Sequence, residues 1–134
     1  MAVKLGTECI RAMAVFEKIT KVHARDCLIT DECVYFLVDP EKIGLAIGKN
    51  GSVIKEVRKI FGKMIKLFGY SDNPKNFIKN IVPSVKSIEI DNDIITISIP
   101  MEERVTVIGK NGRNIKAIKK ILKRHFAIKN LRLR

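Results

Sequence analysis

The sequence has no tryptophan, two histidines, three cysteines and no long apolar run. The cysteines, Cys9, Cys27 and Cys33, are odd in number and lack the Cys-x-x-Cys spacing of zinc and redox sites. We therefore expect free thiols at buried or half-buried positions, in a reducing compartment. Apolar runs such as residues 34–38 are far too short to span a bilayer, and residues 1–6 lack the apolar core of a signal peptide. These absences favour a soluble cytoplasmic protein.

Acidic residues are absent after residue 103, whereas basic residues continue to the end of the sequence. Residues 1–103 contain 15 Lys and Arg against 14 Asp and Glu, and residues 104–134 contain 11 against none, which together give the net charge of +12. A positive field of this kind attracts polyanions, among which nucleic acid is the commonest. An acidic protein or a lipid surface would also be attracted, and a solvated lysine-rich helix would need no partner at all.

One segment of the sequence occurs twice. Residues 47–55 and 108–116 share Ile-Gly-Lys-Asn-Gly followed by Ile-Lys, and nine of the fourteen residues in 47–60 are identical to their counterparts in 108–121. A coincidence of this length is very improbable in a chain of 134 residues, so we infer two copies of one unit. A unit of about 65 residues is near the lower limit for independent stability.

Hydrophobic periodicity predicts a helix, a hairpin of two strands, two helices and a final strand in the first half. Thr7 is the expected N-cap of the first helix. The second strand is apolar on both faces, which suits the centre of a sheet. The helix after the first Gly-Lys-Asn-Gly motif has a predicted buried stripe of Val53, Ile54, Val57, Ile60 and Phe61. The six elements are predicted over residues 7–19, 26–30, 33–38, 41–47, 52–61 and 63–68.

The second half repeats this order, with Ile115, Ile118, Ile121 and Leu122 as the stripe of its long helix. The predicted elements are helix 74–81, strands 85–90 and 94–99, short helix 102–108, a long helix after Gly112, and strand 127–133. The sequence therefore predicts an α+β fold with two domains, each a three-stranded sheet covered by helices. The predicted domains are residues 1–69 and 74–134, with residues 70–73 as a short linker.

Each Gly-Lys-Asn-Gly motif is predicted to join two helices. Two residues without side chains let another molecule approach the backbone, and the start of the following helix presents unpaired N–H groups. A phosphate diester can accept hydrogen bonds from these groups, and the lysine adds a positive charge. One such motif could be a plain turn, but two copies in the same element order favour a nucleic-acid site. The candidate binding residues are Gly48, Lys49, Asn50 and Gly51, with Gly109, Lys110, Asn111 and Gly112.

The motifs of common enzymes are missing from the sequence. It contains no Gly-x-x-x-x-Gly-Lys-Ser/Thr phosphate loop, no Gly-x-Gly-x-x-Gly after a strand and no His-Glu-x-x-His. The two histidines, His23 and His125, stand in no metal-ligand spacing with the cysteines and complete no plausible Ser/His/Asp set. We therefore expect a binding protein that is not an enzyme, without a metal or cofactor.

The element order and the repeated motif resemble the KH RNA-binding domain in its type II arrangement, whose Gly-x-x-Gly loop clamps about four nucleotides. The tandem resembles the archaeal NusA-like family at residues 16–20, 46–51, 70–72 and 108–115. This resemblance implies a cytoplasmic protein that binds single-stranded RNA in transcription elongation and termination, with RNA polymerase as a second candidate partner. Bacterial NusA also has a polymerase-binding N-terminal domain and an S1 domain, for which this sequence has no room.

Further residues extend the candidate RNA-binding surface. Ile47, Ile54, Ile108 and Ile115 are candidate walls of an apolar groove for bases, although an ordinary core position is the simpler explanation for each. Arg113, Lys116, Lys120 and Arg124 would continue the phosphate contacts, or would be solvated charges. Because few aromatic residues lie near the motifs, we expect hydrogen bonds and aliphatic contacts rather than extensive base stacking.

Two other functions fit the same residues. A ribosome- or translation-associated KH protein would share the fold and the loops, and a protein-interaction adaptor would use the basic face on an acidic partner. Co-purification separates the three functions. RNA polymerase with nascent transcripts indicates the role in transcription, and ribosomal subunits indicate the role in translation. Capture of a protein partner that resists nuclease indicates the adaptor. We expect a monomer that binds no membrane.

Overall fold

The computed structural model describes residues 6–134. The expectation that no leader peptide is present concerns residues 1–6, of which residues 1–5 lie outside the described residues. The chain divides into two compact units between Ser71 and Asp72. They are called the first and the second unit below, in chain order.

In its described residues, 6–71, the first unit contains three helices and three strands, in the predicted order. They are α1 (Thr7–Thr20), β1 (Asp26–Ile29), β2 (Cys33–Val38), α2 (Ile43–Ile47), α3 (Ser52–Phe61) and β3 (Met64–Gly69). One 3₁₀ turn, Pro40–Lys42, leads into α2, and another, Lys49–Gly51, leads into α3. The sheet order is β1-β2-β3, with β1 antiparallel and β3 parallel to β2. All six residues of β2 are buried, which confirms its prediction as a central strand.

The second unit repeats this architecture. Its elements are α4 (Pro74–Ile81), β4 (Ser87–Asp91), β5 (Ile94–Ser98), α5 (Arg104–Ile108), α6 (Arg113–Phe126) and β6 (Asn130–Leu133). Two 3₁₀ turns, Met101–Glu103 and Lys110–Gly112, precede α5 and α6. The sheet order is β4-β5-β6, again with one antiparallel and one parallel pair. The prediction of an α+β fold with three-stranded sheets and helices is confirmed.

In the first unit α1 and α3 pack against the sheet. The ring of Phe16 on α1 stacks on Phe36 of β2 with centroids 4.2 Å apart, and Phe61 at the end of α3 lies 5.8 Å from Phe36. Val57 of α3 is fully buried in the same cluster. This packing holds α3, and with it the turn that precedes it, in a fixed position on the sheet.

In the second unit the long helix α6 supplies much of the core. Its residues Ile118, Ile121 and Leu122 are buried, as their spacing predicts, and Ile115 is half-buried. Phe126 at the end of α6 lies 5.8 Å from Phe77 of α4, measured between ring centroids. Helix α6, which follows the second Gly-Lys-Asn-Gly motif, is therefore also packed into the core of its unit through its apolar face.

Some predicted details are wrong. Gly6, and not Thr7, occupies the N-cap of α1, and no side chain caps this helix. Ile60 is 61% exposed because it lies at the edge of the apolar stripe, about 100° around the helix from Phe61. The strands β4 and β6 begin at Ser87 and Asn130, later than their apolar patterns suggest.

Cys9 is half-buried, Cys27 and Cys33 are buried, and all three are free thiols, as predicted. The thiol of Cys9 approaches the carbonyl oxygen of Cys27 at 3.6 Å, so it packs α1 against β1. Among the helices of residues 6–134, none combines the length and the hydropathy that crossing a bilayer requires.

Candidate nucleic-acid interface

The first glycine of each Gly-Lys-Asn-Gly motif has a backbone conformation that other residues avoid. Gly48 has φ 77° and ψ 170°, and Gly109 has φ 78° and ψ 169°. This region of φ and ψ is essentially restricted to glycine. A Cβ atom on Gly48 would also lie 2.9 Å from the backbone nitrogen of Val53, and one on Gly109 would lie 2.9 Å from that of Asn114. The first turns of α3 and α6 thus lie directly against Gly48 and Gly109, with no room for a side chain on either glycine.

The rest of each motif completes a tight left-handed turn. Asn50 and Asn111 have φ 57°, a conformation that asparagine adopts more readily than most residues. The second glycines, Gly51 and Gly112, have φ 72° and 73° and are the N-cap residues of α3 and α6. The two motifs are therefore the same loop built twice. We call residues 48–51 the first loop and residues 109–112 the second loop.

Hydrogen bonds close both ends of each loop and leave its middle open. In the first loop, Gly48 donates its N–H to Gly44 at 3.0 Å, and Gly51 donates to the carbonyl of Gly48 at 3.1 Å. Among residues 6–134, no backbone carbonyl outside the helices accepts the N–H of Lys49 or Asn50. The second loop has the same pattern. Each loop therefore offers main-chain donors for an anion, at the start of a helix whose dipole favours negative charge.

The side chains in the middle of the loops are accessible. Lys49, Asn50, Lys110 and Asn111 are all exposed, whereas the four glycines are half-buried. Neither lysine forms an ion pair within the described part of the chain. In each loop, one positive charge and one side-chain amide consequently lie beside the main-chain donors.

The four basic residues that were predicted to continue the phosphate contacts differ in exposure. Lys116 and Lys120 are exposed on α6. Arg113 and Arg124 are half-buried, and both interact with other groups of the chain. The two lysines are thus the more accessible members of this set.

Other basic residues near the end of the sequence are paired with acids. Arg134 donates to Glu89 at 2.8 Å, and this hydrogen bond holds the pKa of the Glu89 carboxyl below its usual value. Lys129 lies 3.6 Å from Asp93. These pairs neutralise part of the positive charge on the sheet of the second unit.

The four isoleucines that were candidate groove walls differ in exposure. Ile47 is 38% exposed at the end of α2, and Ile108 and Ile115 are half-buried. Ile54 is 9% exposed and belongs to the core of the first unit, so it offers little surface to a base. Ile47 is the most accessible member of this set.

Sequence reasoning missed two kinds of residue at the loops. Leu45 and Val105, on the short helices before the loops, are 57% and 80% exposed and add apolar surface there. Val53 and Asn114 lie against the first glycine of each loop, and the Asn114 amide donates to the carbonyl of Thr106 at 3.2 Å. A signal was available, because the two copies match up to Gly51 and Gly112 and then differ at two adjacent positions, the second of which holds Val53 in one copy and Asn114 in the other.

Comparison with known proteins agrees with this geometry. Residues 11–87 match the KH domain family. A probable transcription termination protein NusA of Methanocaldococcus jannaschii is 36% identical over 98% of this chain and 75% of its own length. The protein of the same name from Halobacterium salinarum is 30% identical over 99% of both chains.

A solved structure has the same fold over nearly all of this chain. The crystal structure of APE1850 matches with a TM-score of 0.81 and 30% sequence identity, over 97% of this chain and 100% of that one. Similarity in both sequence and backbone thus extends through both units and both loops. The chain belongs to the KH domain family and, within it, to the archaeal NusA-like transcription termination proteins.

Proposed function

We propose that this protein binds single-stranded RNA during transcription termination or antitermination, and that its two units are tandem type II KH domains that each hold the RNA with one loop. The observation that carries this proposal is the identical backbone of the two loops, including a glycine conformation that no other residue adopts easily. A strained conformation that occurs twice indicates a functional requirement more strongly than a single turn would. The names of the relatives support the role in termination.

Each loop would bind the sugar-phosphate backbone of the RNA. The glycines would allow the strand to approach the main chain, and the N–H groups of Lys49 and Asn50 would donate to phosphate oxygens. Lys49 would add a charge that forms no ion pair within residues 6–134. Lys110 and Asn111 would do the same in the second unit. A clamp of this type holds about four nucleotides per domain.

The bases would contact the apolar surface beside each loop. Ile47 and Leu45 are exposed on the helix before the first loop, and Val105 is exposed on the helix before the second. None of these residues is aromatic, so base stacking of the kind seen on aromatic platforms has no partner there. Hydrogen bonds and aliphatic contacts would then determine which bases are preferred.

The proposed setting is the transcription complex in the cytoplasm, with nascent RNA as the ligand and RNA polymerase as the protein partner. In this setting the protein would act without catalysis, by holding a strand that leaves the polymerase. We expect it to act as a monomer, because its two loops already provide two contacts to one strand.

Charge reversal in both loops tests the proposal. Lys49→Asp with Asn50→Asp, and Lys110→Asp with Asn111→Asp, place carboxylates where phosphates would bind, so RNA affinity should fall by more than about a hundredfold. Asp tolerates the left-handed conformation of Asn50 and Asn111, so the loop backbone should persist. Binding would be measured by fluorescence anisotropy with a random-sequence single-stranded RNA pool.

A thermal melt followed by circular dichroism controls for folding, since the four exposed side chains contribute little to the core. We expect the melting temperatures of the variant and the natural protein to agree within a few degrees. Unchanged RNA affinity of a folded variant would contradict the role of the loops.

A further inference from the structure

The solvent-facing side of α6 is made of lysine alone over two turns. Between residues 116 and 123, the exposed positions are Lys116, Lys119, Lys120 and Lys123, and the positions between them are all buried. The spacing of i, i+3, i+4 and i+7 places the four side chains on one face of the helix. We call these four residues the lysine face.

In the described part of the chain, no acidic side chain forms an ion pair with the lysine face. Residues 104–134 contain no Asp or Glu, so α6 has no intrahelical ion pair available. Within residues 6–134 none of the four lysines takes part in an ion pair. Four like charges within two turns repel each other, and an anionic ligand would relieve this repulsion.

The corresponding helix of the first unit lacks such a face. The positions in α3 that match the lysine face are Lys55, Arg58 and Lys59, followed by Gly62, where the helix has already ended. Glu56 and Ile60 are exposed among these residues. The continuous lysine face is thus a property of the longer α6, and the general architecture of the repeated unit does not require it.

We propose that the lysine face binds the sugar-phosphate backbone of the RNA that continues from the second loop, in addition to the nucleotides that the loop itself holds. This inference rests on the proposed function. Helix α6 begins at the second loop, and Lys123 lies about 16 Å along the helix axis from Gly112. A phosphate held by the loop cannot also contact Lys123, whereas a strand that runs along the helix can.

The chemistry of the face indicates backbone binding. Lysine ammonium groups are point charges that bind phosphates without the planar geometry that recognises a base edge. No aromatic side chain lies among the four lysines to stack a base. The lysine face should therefore increase affinity for RNA of any sequence and leave the choice of bases to the loops.

Lys119→Gln with Lys123→Gln tests the lysine face away from the loop. Glutamine keeps the length and the helix propensity of the side chain and removes the charge. The matched control is Lys75→Gln with Lys79→Gln, two exposed lysines at the same spacing on α4 of the same unit. The probes are random-sequence single-stranded RNA pools of about eight nucleotides, enough for two loops, and about twenty nucleotides.

For the longer RNA, the α6 variant should lose about tenfold or more in affinity. The plot of log affinity against log salt concentration should become less steep by about 1.4, which is about 0.7 for each of the two lost phosphate contacts. For the shorter RNA, its affinity should change less than threefold, and the α4 control should bind both RNAs like the natural protein. Equal losses for both lengths, or no loss for the longer RNA, would overturn the lysine face as an extension. If the natural protein binds neither RNA, the proposed function fails as well, and binding of an acidic protein by the lysine face would then explain its charge.

Discussion

At the scale of single residues, the first glycine of each loop is sterically constrained. Gly48 combines an unusual φ and ψ with a following helix that approaches to within van der Waals contact. The constraint is steric, and it exists whether or not RNA is bound. The loop is therefore preorganised, and RNA binding would not need to supply the free energy of forming it.

Gly48→Ala should lower the free energy of unfolding by about 1–3 kcal/mol, because alanine has to adopt a conformation that suits only glycine and its Cβ would contact the backbone of Val53. Gly44→Ala is the matched control. Gly44 lies in α2 with open space around it, so alanine there should raise the free energy of unfolding by about 0.5–1 kcal/mol. Urea denaturation measures both, and equal effects would contradict the steric constraint.

At the scale of elements, the helix starts differ in how they are capped. The Asn73 side chain accepts hydrogen bonds from the backbone N–H groups of Lys75 and Asn76, at 2.8 Å and 3.3 Å, and Pro74 occupies the first position of α4. Helix α1 has no such cap. The loop helices α3 and α6 have no side-chain cap either, which leaves the donors at their starts available to a ligand.

Asn73→Ala should therefore cost about 1 kcal/mol of stability, since two backbone donors lose their partner. Thr7→Ala should change stability by less than about 0.5 kcal/mol, because Thr7 is not the capping residue of α1. Thermal denaturation of the two variants compares them directly. Asn73→Asp, which retains the acceptor oxygen, should keep most of the stability.

The order of helices and strands could be predicted from the sequence because it is encoded in local periodicity and turn residues. The twelve elements appear in the predicted order, and α4 matches its predicted range. The parallel direction of β3 and β6 could not be derived, since the pattern of one strand does not reveal its neighbour. The exposure of Ile60 was missed because residues at the edge of an apolar stripe can be buried or exposed.

The candidate site, like the fold, could be predicted from the sequence only in part. The glycines and the asparagine of each loop indicated a tight turn before a helix, and the structure contains that turn twice. The close approach of Val53 and Asn114 to the first glycines depends on how the short helices pack, which local sequence does not determine. Lys116 and Lys120 were already candidates from the sequence, whereas the burial of the positions between the four lysines showed that Lys119 and Lys123 share their face.

At the scale of the whole molecule, charge is distributed unevenly between the units. Residues 72–134 contain 14 Lys and Arg against 6 Asp and Glu, whereas residues 1–71 contain 12 against 8. Both units have a loop of the same shape, so any difference in their affinity for RNA should arise largely from this difference in charge.

Charge reversal of one loop at a time should separate the two units. The variant in the second loop, Lys110→Asp with Asn111→Asp, should reduce the salt dependence of RNA binding more than Lys49→Asp with Asn50→Asp does, because more counterions are displaced at the second unit. Titrations at several salt concentrations measure the two slopes. A larger reduction for the first loop would show that total charge does not decide where the phosphates bind.

The short strand β6 covers one edge of the central strand β5. Its four residues cover one side of β5, whose Ile95 and Ile97 are fully buried. If β6 detached, β5 would present a free row of N–H and C=O groups beside apolar side chains, which is a template for another chain to add a strand. Trimming by a protease at this strand would thus favour aggregation of the protein even while both loops remained intact.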